Sequence, residues 1–205
     1  EAHLVAMDFY EADYNVFVLV YTVNPLDEVP LGMQPLQDIS RAIRMIRGKA
    51  EEYRITPEKI AVCGFSAGGH LAATGLVTLK GELKPDFGIL VYPVISMKKN
   101  ITHQFSRFNL MGKSPSEDTV IKFSTEEQVA EDTPATILFH CSDDPAVKPE
   151  NSIVFYQALL RNAVPAEMHV YPKGRHGWGF IEGAPFPYFN EFKTTVLRWI
   201  AEQNN

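Results

Sequence analysis

Ile60-Ala61-Val62-Cys63-Gly64-Phe65-Ser66-Ala67-Gly68-Gly69-His70-Leu71-Ala72-Ala73 decides the fold. The apolar run Ile60 to Cys63 reads as a strand, Gly64 to Gly68 as a sharp turn, and the small apolar residues that follow as a helix. A serine at such a turn is held in a strained conformation that exposes its Oγ, and flanking glycines let neighbouring backbone approach without a Cβ clash. G-x-S-x-G alone occurs by chance in loops. The strand before it and the helix after it are what make this one read as a nucleophile elbow.

A nucleophilic serine needs a base, and the base needs an orienting carboxylate. Downstream, Ala135-Thr136-Ile137-Leu138-Phe139-His140 reads as a buried strand that empties into Cys141-Ser142-Asp143-Asp144-Pro145-Ala146-Val147. A later strand, Ala166-Glu167-Met168-His169-Val170-Tyr171, leads into a glycine-rich turn, Pro172 to Gly179, built around His176. In open α/β sheets chemistry gathers outside the carboxyl ends of the strands, where all three groups fall. Serine and aspartate are common turn formers, so each alone would mean little. Three complementary groups at three strand ends point jointly to catalysis.

The rest of the chain alternates apolar runs and turn signals in a βαβα rhythm, which predicts a largely parallel sheet with helices on its faces. Leu36, Ile39, Ile43, Ile46, Ala50 and Tyr53 form one stripe of a long amphipathic helix, with Pro35 suited to its first turn. Strands are expected at 16–21 and from Phe87 to Tyr92, a helix carrying Phe155, Ala158, Leu159 and Asn162, and a final helix carrying Phe192, Val196, Trp199 and Ile200. The stretch 93–131 breaks the rhythm; it reads either as a lid or pocket wall over the serine or as a surface insertion.

Composition bounds the partners. With 205 residues, 45% hydrophobic and 21% charged, the chain suits one globular domain, 1–205. A net charge of −6 gives no reason to expect nucleic acid or an anionic membrane as partner. The longest apolar stretches, such as Val16 to Val20, are too short to cross a bilayer. Cys63 and Cys141 end two different expected strands and are read as free buried thiols. No zinc spacing occurs, so neither metal nor cofactor is expected. His70 and His140 are read as packing residues, Asp38 and Arg41 as an exposed ion pair, and the face of His169 is left open. Trp178, two residues from the histidine, is either a pocket wall or a core residue.

Taken together, Tyr14 to Leu19, Gln34 to Asp38, Gly64 to Ala72, Asp143-Asp144-Pro145, Glu150-Asn151-Ser152 and Pro172 to Gly177 resemble the α/β-hydrolase esterases of the acetyl-esterase and acetylxylan-esterase kind. The order Ser, Asp, His is that of the α/β-hydrolases. The resemblance implies Ser66 as nucleophile, His176 as general base and Asp144 as acid. Asp144 is preferred to Asp143 because the family's acid opens a D-x-x-V segment, which Asp144-Pro145-Ala146-Val147 matches. The backbone N–H of Ala67 is expected as one oxyanion donor.

The family's HGGG loop, which supplies the second donor, is not found in this sequence, and Glu1 to Ala12 resemble the helix that follows that loop. About three strands of the family would precede it, one of them lying between the strands at 16–21 and 60–63. The chain is therefore read as a fragment, a processed product or the ordered remainder of a longer protein. An edge strand left open would invite pairing with a second copy. No signal-peptide pattern opens the chain, and a cytoplasmic location is the expectation. By resemblance, the substrate is a small acyl ester, with acetylated sugars or xylo-oligosaccharides leading. The alternatives are a prolyl-oligopeptidase-like peptidase and a non-catalytic binding module.

Overall fold

A computed structural model of the chain describes residues 3–24, 29–178 and 186–203. Glu1 and Ala2, at the start of the first expected helix, and Gly179, at the end of the histidine turn, lie outside the described residues.

Helix α1 (His3–Glu11) leads into an extended segment, then α2 (Gln34–Gly48) and the short α3 (Ala50–Tyr53). Strand β1 (Ala61–Phe65) runs directly into α4 (Ser66–Thr78), and β2 (Phe87–Val91) into a long connection carrying α5 (Gln104–Met111) and α6 (Glu117–Phe123). Strand β3 (Thr136–Cys141), α7 (Glu150–Arg161), β4 (Ala166–Tyr171) and α8 (Phe189–Glu202) complete the order. The four strands pair in parallel as β1-β2-β3-β4, with Phe65 beside Val91 and Cys141 beside Tyr171. All four carboxyl ends therefore lie along one side, and the loops leaving β1, β3 and β4 are neighbours.

Alternation within the strands explains the two cores. Ile89, Val91, Ile137 and Phe139 face one way, packing with Val5 and Phe9 of α1 and with Phe192, Val196 and Trp199 of α8. Leu90 and Leu138 face the other way, against Ala73 and Leu76 of α4 and Phe155 and Leu159 of α7. A strand buried on both faces shows no polar alternation, which is why β2 and β3 read as continuous apolar runs.

Four expectations are corrected. The segment expected as a strand at 16–21 has no ladder partner among the described residues, and β1 pairs there only with β2. Its side chains still pack: Tyr14 and Val16 rest on the α1/α8 core, and the Phe17 ring lies 4.9 Å from that of Tyr53. A strand exists only where a neighbour takes its N–H and C=O groups, and apolar pattern alone cannot supply that neighbour. Because β1 is an edge strand among the described residues, Cys63 is exposed; Cys141 is buried, and both are free.

The long stripe from Leu36 to Tyr53 breaks at Lys49, whose N–H bonds back to the carbonyls of Ile46 and Arg47. Only Leu36, Ile39 and Ile43 of the stripe are buried. Asn162 caps α7 rather than lying within it. Among the described residues no helix is long and apolar enough to cross a membrane, and no cluster of His, Cys, Asp or Glu could hold a metal ion.

Candidate active site

Ser66 sits at the junction of β1 and α4 with φ +52°, in the left-handed region that non-glycine residues rarely occupy. Holding it there costs of order 1–3 kcal/mol, a strain the surrounding packing must enforce. The enforcement is visible. The Ser66 carbonyl accepts from Val94 N–H at 3.0 Å, tying the turn to the end of β2. A Cβ on Gly64 would run into the Gly68 carbonyl and lie 2.7 Å from Ala72 Cβ, and one on Gly69 would lie 2.7 Å from Pro93 Cβ. A Cβ on Gly68 would meet only Tyr21, at 3.8 Å. Close approach thus requires glycine at 64 and 69, whereas sequence reading placed the need at the two glycines that flank the serine.

Ser66 Oγ is 2.9 Å from His176 Nε2, and His176 Nδ1 is 2.7 Å from Asp144 Oδ2. Three loops separated by up to 110 positions in sequence meet here in one hydrogen-bonded line. Asp144 is buried and richly supplied with donors. Its Oδ1 accepts from the backbone N–H of Ala146 at 2.8 Å and Val147 at 2.9 Å. Burial opposes its charge, but donation from His140, His176, Val147 and Ala146 outweighs it and holds the carboxyl well below the usual carboxylate range. Asp143 points elsewhere: its Oδ1 accepts Arg175 N–H at 2.8 Å, bracing the loop that carries His176. The Tyr92 ring, 4.7 Å from that of His176, flanks the line.

Beside Ala67, whose N–H follows the serine at the start of α4, opens a cavity of about 220 Å³. Leu71 of α4, Tyr21 of the extended segment, and Met97, Phe105, Leu110 and Phe123 of the 93–131 connection line it. Other parts of that connection are core: Val94 and Ile95 are fully buried. His70 lies at the cavity wall, its Nε2 2.8 Å from the Phe123 carbonyl, and burial pushes it down to about 4 against that bond. His103, at the start of α5, is held below the ordinary histidine range first by burial and then by nearby His176.

The structure gathers Ser66, Ala67, Asp144 and His176, and separates Trp178 from them. Trp178 is 4% exposed, stacked on Phe186 at 3.9 Å in the α8 core, and is absent from the cavity lining. A residue two positions from the half-buried His176 can turn inward because the chain reverses at Gly177, φ +78°. His169 stacks on Phe139 and bonds Glu167 at 2.7 Å. Asp38 does not pair with Arg41 at contact: its carboxylate accepts Thr22 N–H at 2.8 Å, which, with Arg41 acting only through space, keeps it below the ordinary range. Sequence reading missed that His140 touches Asp144, a contact across the bend after β3 that no periodicity encodes.

The profile of the BD-FAE family matches residues 2–159. This chain belongs to the BD-FAE family. Its fold is that of the α/β-hydrolases. Endo-1,4-beta-xylanase B of Butyrivibrio fibrisolvens is 38% identical over 188 residues, covering 86% of the chain and 29% of that protein. The acetylxylan esterase of Xylanibacter ruminicola is 32% identical over 170 residues, covering 81% of the chain and 35% of that protein. The BD-FAE chain thus spans about a third of the length of these curated relatives. Among solved structures, an acetyl ester-xyloside bifunctional hydrolase from Caldicellulosiruptor lactoaceticus superposes with a TM-score of 0.85 at 34% identity, covering 98% of this chain and 75% of that one. A sugar hydrolase from Lactococcus lactis gives the same TM-score at 27% identity, with 98% and 81% covered.

Proposed function

We propose that the chain is a serine carboxylic-ester hydrolase, with Ser66 as nucleophile, His176 as general base and Asp144 as its orienting acid. The observation that carries this reading is the line Ser66 Oγ, His176 Nε2, His176 Nδ1, Asp144 Oδ2, with contacts of 2.9 and 2.7 Å, entered from a serine with positive φ. A serine hydroxyl is a poor nucleophile until a base takes its proton during attack. His176 Nε2 removes that proton as Oγ adds to the ester carbonyl, and the imidazolium returns it to the departing alkoxide. Asp144 fixes the Nδ1–H tautomer and stabilises the imidazolium without itself taking the proton. The Ala67 N–H donates to the oxyanion of the tetrahedral intermediate. Water then attacks the acyl-enzyme with His176 again as base, releasing the acid and restoring Ser66.

The substrate in this reading is a small acyl ester, foremost acetyl groups on sugars or xylo-oligosaccharides. Support comes from the names of the relatives, an acetylxylan esterase and an acetyl ester-xyloside hydrolase among them. Residues 93–131 act in part as a pocket wall, since α5 and Phe123 close the cavity beside Ala67. Hydrolysis of p-nitrophenyl acetate and release of acetate from acetylated xylo-oligosaccharides, each beside Ser66→Ala, test the two levels separately. Serine-dependent activity on the first but not the second would retain the esterase and discard the sugar.

A further inference from the structure

His140 is a buried histidine that the proposed mechanism leaves unused. It ends β3 with no exposed surface, and every polar atom of its ring has a partner. Nε2 lies 3.0 Å from the Val147 carbonyl and 3.3 Å from Asp144 Oδ2; Nδ1 lies 2.7 Å from Ser152 Oγ. A carbonyl and a carboxylate can only accept, so Nε2 must carry the hydrogen it shares between them. Nδ1 is then free to accept, and the Ser152 hydroxyl donates to it.

Ser152 is equally buried, in the first turn of α7. Its neighbour Asn151 anchors that turn: Oδ1 accepts from Ile95 and Ser96 N–H at 2.9 and 3.0 Å, and Nδ2 donates to the Ile101 and Lys148 carbonyls. The Glu150-Asn151-Ser152 motif thus has a physical content. One residue ties α7 to the chain leaving β2, and the next sets the ring of His140.

Resting on the proposed hydrolase reading, we infer that His140 is a positioning residue whose Nε2–H, its tautomer set by Ser152, fixes and tempers the Asp144 oxygen that faces His176. Oδ2 receives two imidazole N–H groups, one from the reacting side and one from the interior. The interior donor holds the carboxylate in place and withdraws part of its charge, which limits how tightly Asp144 holds protonated His176. The titratable groups around the pair are His176 from the β4 loop, Asp143 and Cys141 at the end of β3, and His103 from the start of α5. Beside the His140 ring α7 presents Ser152, which is uncharged.

The test measures kcat and KM on p-nitrophenyl acetate from about pH 5 to 9 for the wild type, His140→Leu, His140→Gln and Ser152→Ala, with Ser66→Ala as baseline. His140→Leu removes the donor, so the acid limb of kcat/KM moves up by about half a unit or more. Its kcat falls about tenfold while KM stays within about twofold, since one hydrogen bond to a charged group is lost away from substrate. His140→Gln, whose amide can reach the Nε2 position, restores the limb toward wild type. Ser152→Ala moves it in the same direction as Leu by a smaller amount. An acid limb unchanged in His140→Leu overturns the inference; if that variant does not fold, an unchanged limb in Ser152→Ala does so.

Long-range 1H–15N NMR of the histidine rings supplies an arm that needs no turnover. His140, assigned by its loss in His140→Gln, should be the Nε2–H tautomer, and the downfield His176 Nδ1–H signal should shift on its replacement. A different tautomer for His140, or an unmoved His176 signal, overturns the inference by itself. Wild-type hydrolysis no faster than Ser66→Ala would instead defeat the hydrolase reading, leaving this arm to decide His140.

Discussion

Acidification should unfold the chain partly through one buried histidine, His70. Its ring is 7% exposed on α4, with Nε2 donating to the Phe123 carbonyl at 2.8 Å. Burial disfavours the charged ring and pushes it from 6.5 down to about 4, the Phe123 carbonyl opposing. The folded value lies below the unfolded one, so between them the unfolded chain binds a proton that the folded chain refuses. Stability is therefore full above the unfolded value and is lost as the pH falls from about 6.5 through about 4. From about pH 7 to about pH 5 the loss assigned to His70 is about 2 kcal/mol, because a unit of separation is worth about 1.4 kcal/mol and only part of the interval is crossed.

His70→Gln keeps a donor for Phe123 and removes the titration. Urea unfolding followed by the fluorescence of Trp178 and Trp199 at the two pH values reads the effect. With a slope near 2 kcal/mol per molar urea, the wild-type midpoint should fall by about 1 M more than that of the variant. The variant's own baseline stability cancels in this double difference. Equal losses in the two proteins would refute the account of His70.

Asp144→Asn should leave the fold intact near neutral pH and lower kcat by about four orders of magnitude, since an amide cannot both take the Nδ1–H and stabilise the imidazolium. Because Asp144 is held below its ordinary range in the fold, its contribution to stability is present above about pH 4 and is lost as the pH falls toward the folded value. Acid melts of Asp144→Asn should accordingly be flatter below about pH 4 than those of the wild type. Gly69→Ala should lower stability by about 1–3 kcal/mol through its clash with Pro93, whereas Gly68→Ala, with only Tyr21 in reach, should stay within about 0.5 kcal/mol. Thermal melts of the two variants check this pair, and an equal effect would contradict the packing argument.

Much of this architecture was legible because it is encoded locally. Ser66 announces itself through a strand, a turn and a helix written in consecutive residues, and His176 and an acid through turn residues that follow apolar runs; the choice of Asp144 over Asp143 came from the family resemblance. A parallel sheet followed from the βαβ rhythm, and the separation of Cys63 from Cys141 from the sheet order that the family resemblance implies. What the sequence hid depends on distant neighbours. Residues 16–21 carry a strand's composition, yet among the described residues no strand pairs with them. Asp38 finds Thr22 rather than Arg41 because a backbone N–H is brought to it from 16 positions away. His140 reads as a packing residue, and it is packed; that its buried edge meets Asp144 requires the bend after β3. The cavity is lined from four separate segments, so no single stretch could have revealed it.

The central claim, that His176 and Asp144 activate Ser66, is tested most directly by exposing the folded chain to a fluorophosphonate, which phosphonylates an activated serine as Oγ displaces fluoride from phosphorus. Intact mass and peptide mapping would locate the adduct. The account predicts one adduct, on the peptide containing Ser66, absent in Ser66→Ala and slowed by orders of magnitude in His176→Ala. Labelling elsewhere, or equal rates with and without the His176 imidazole, would contradict it.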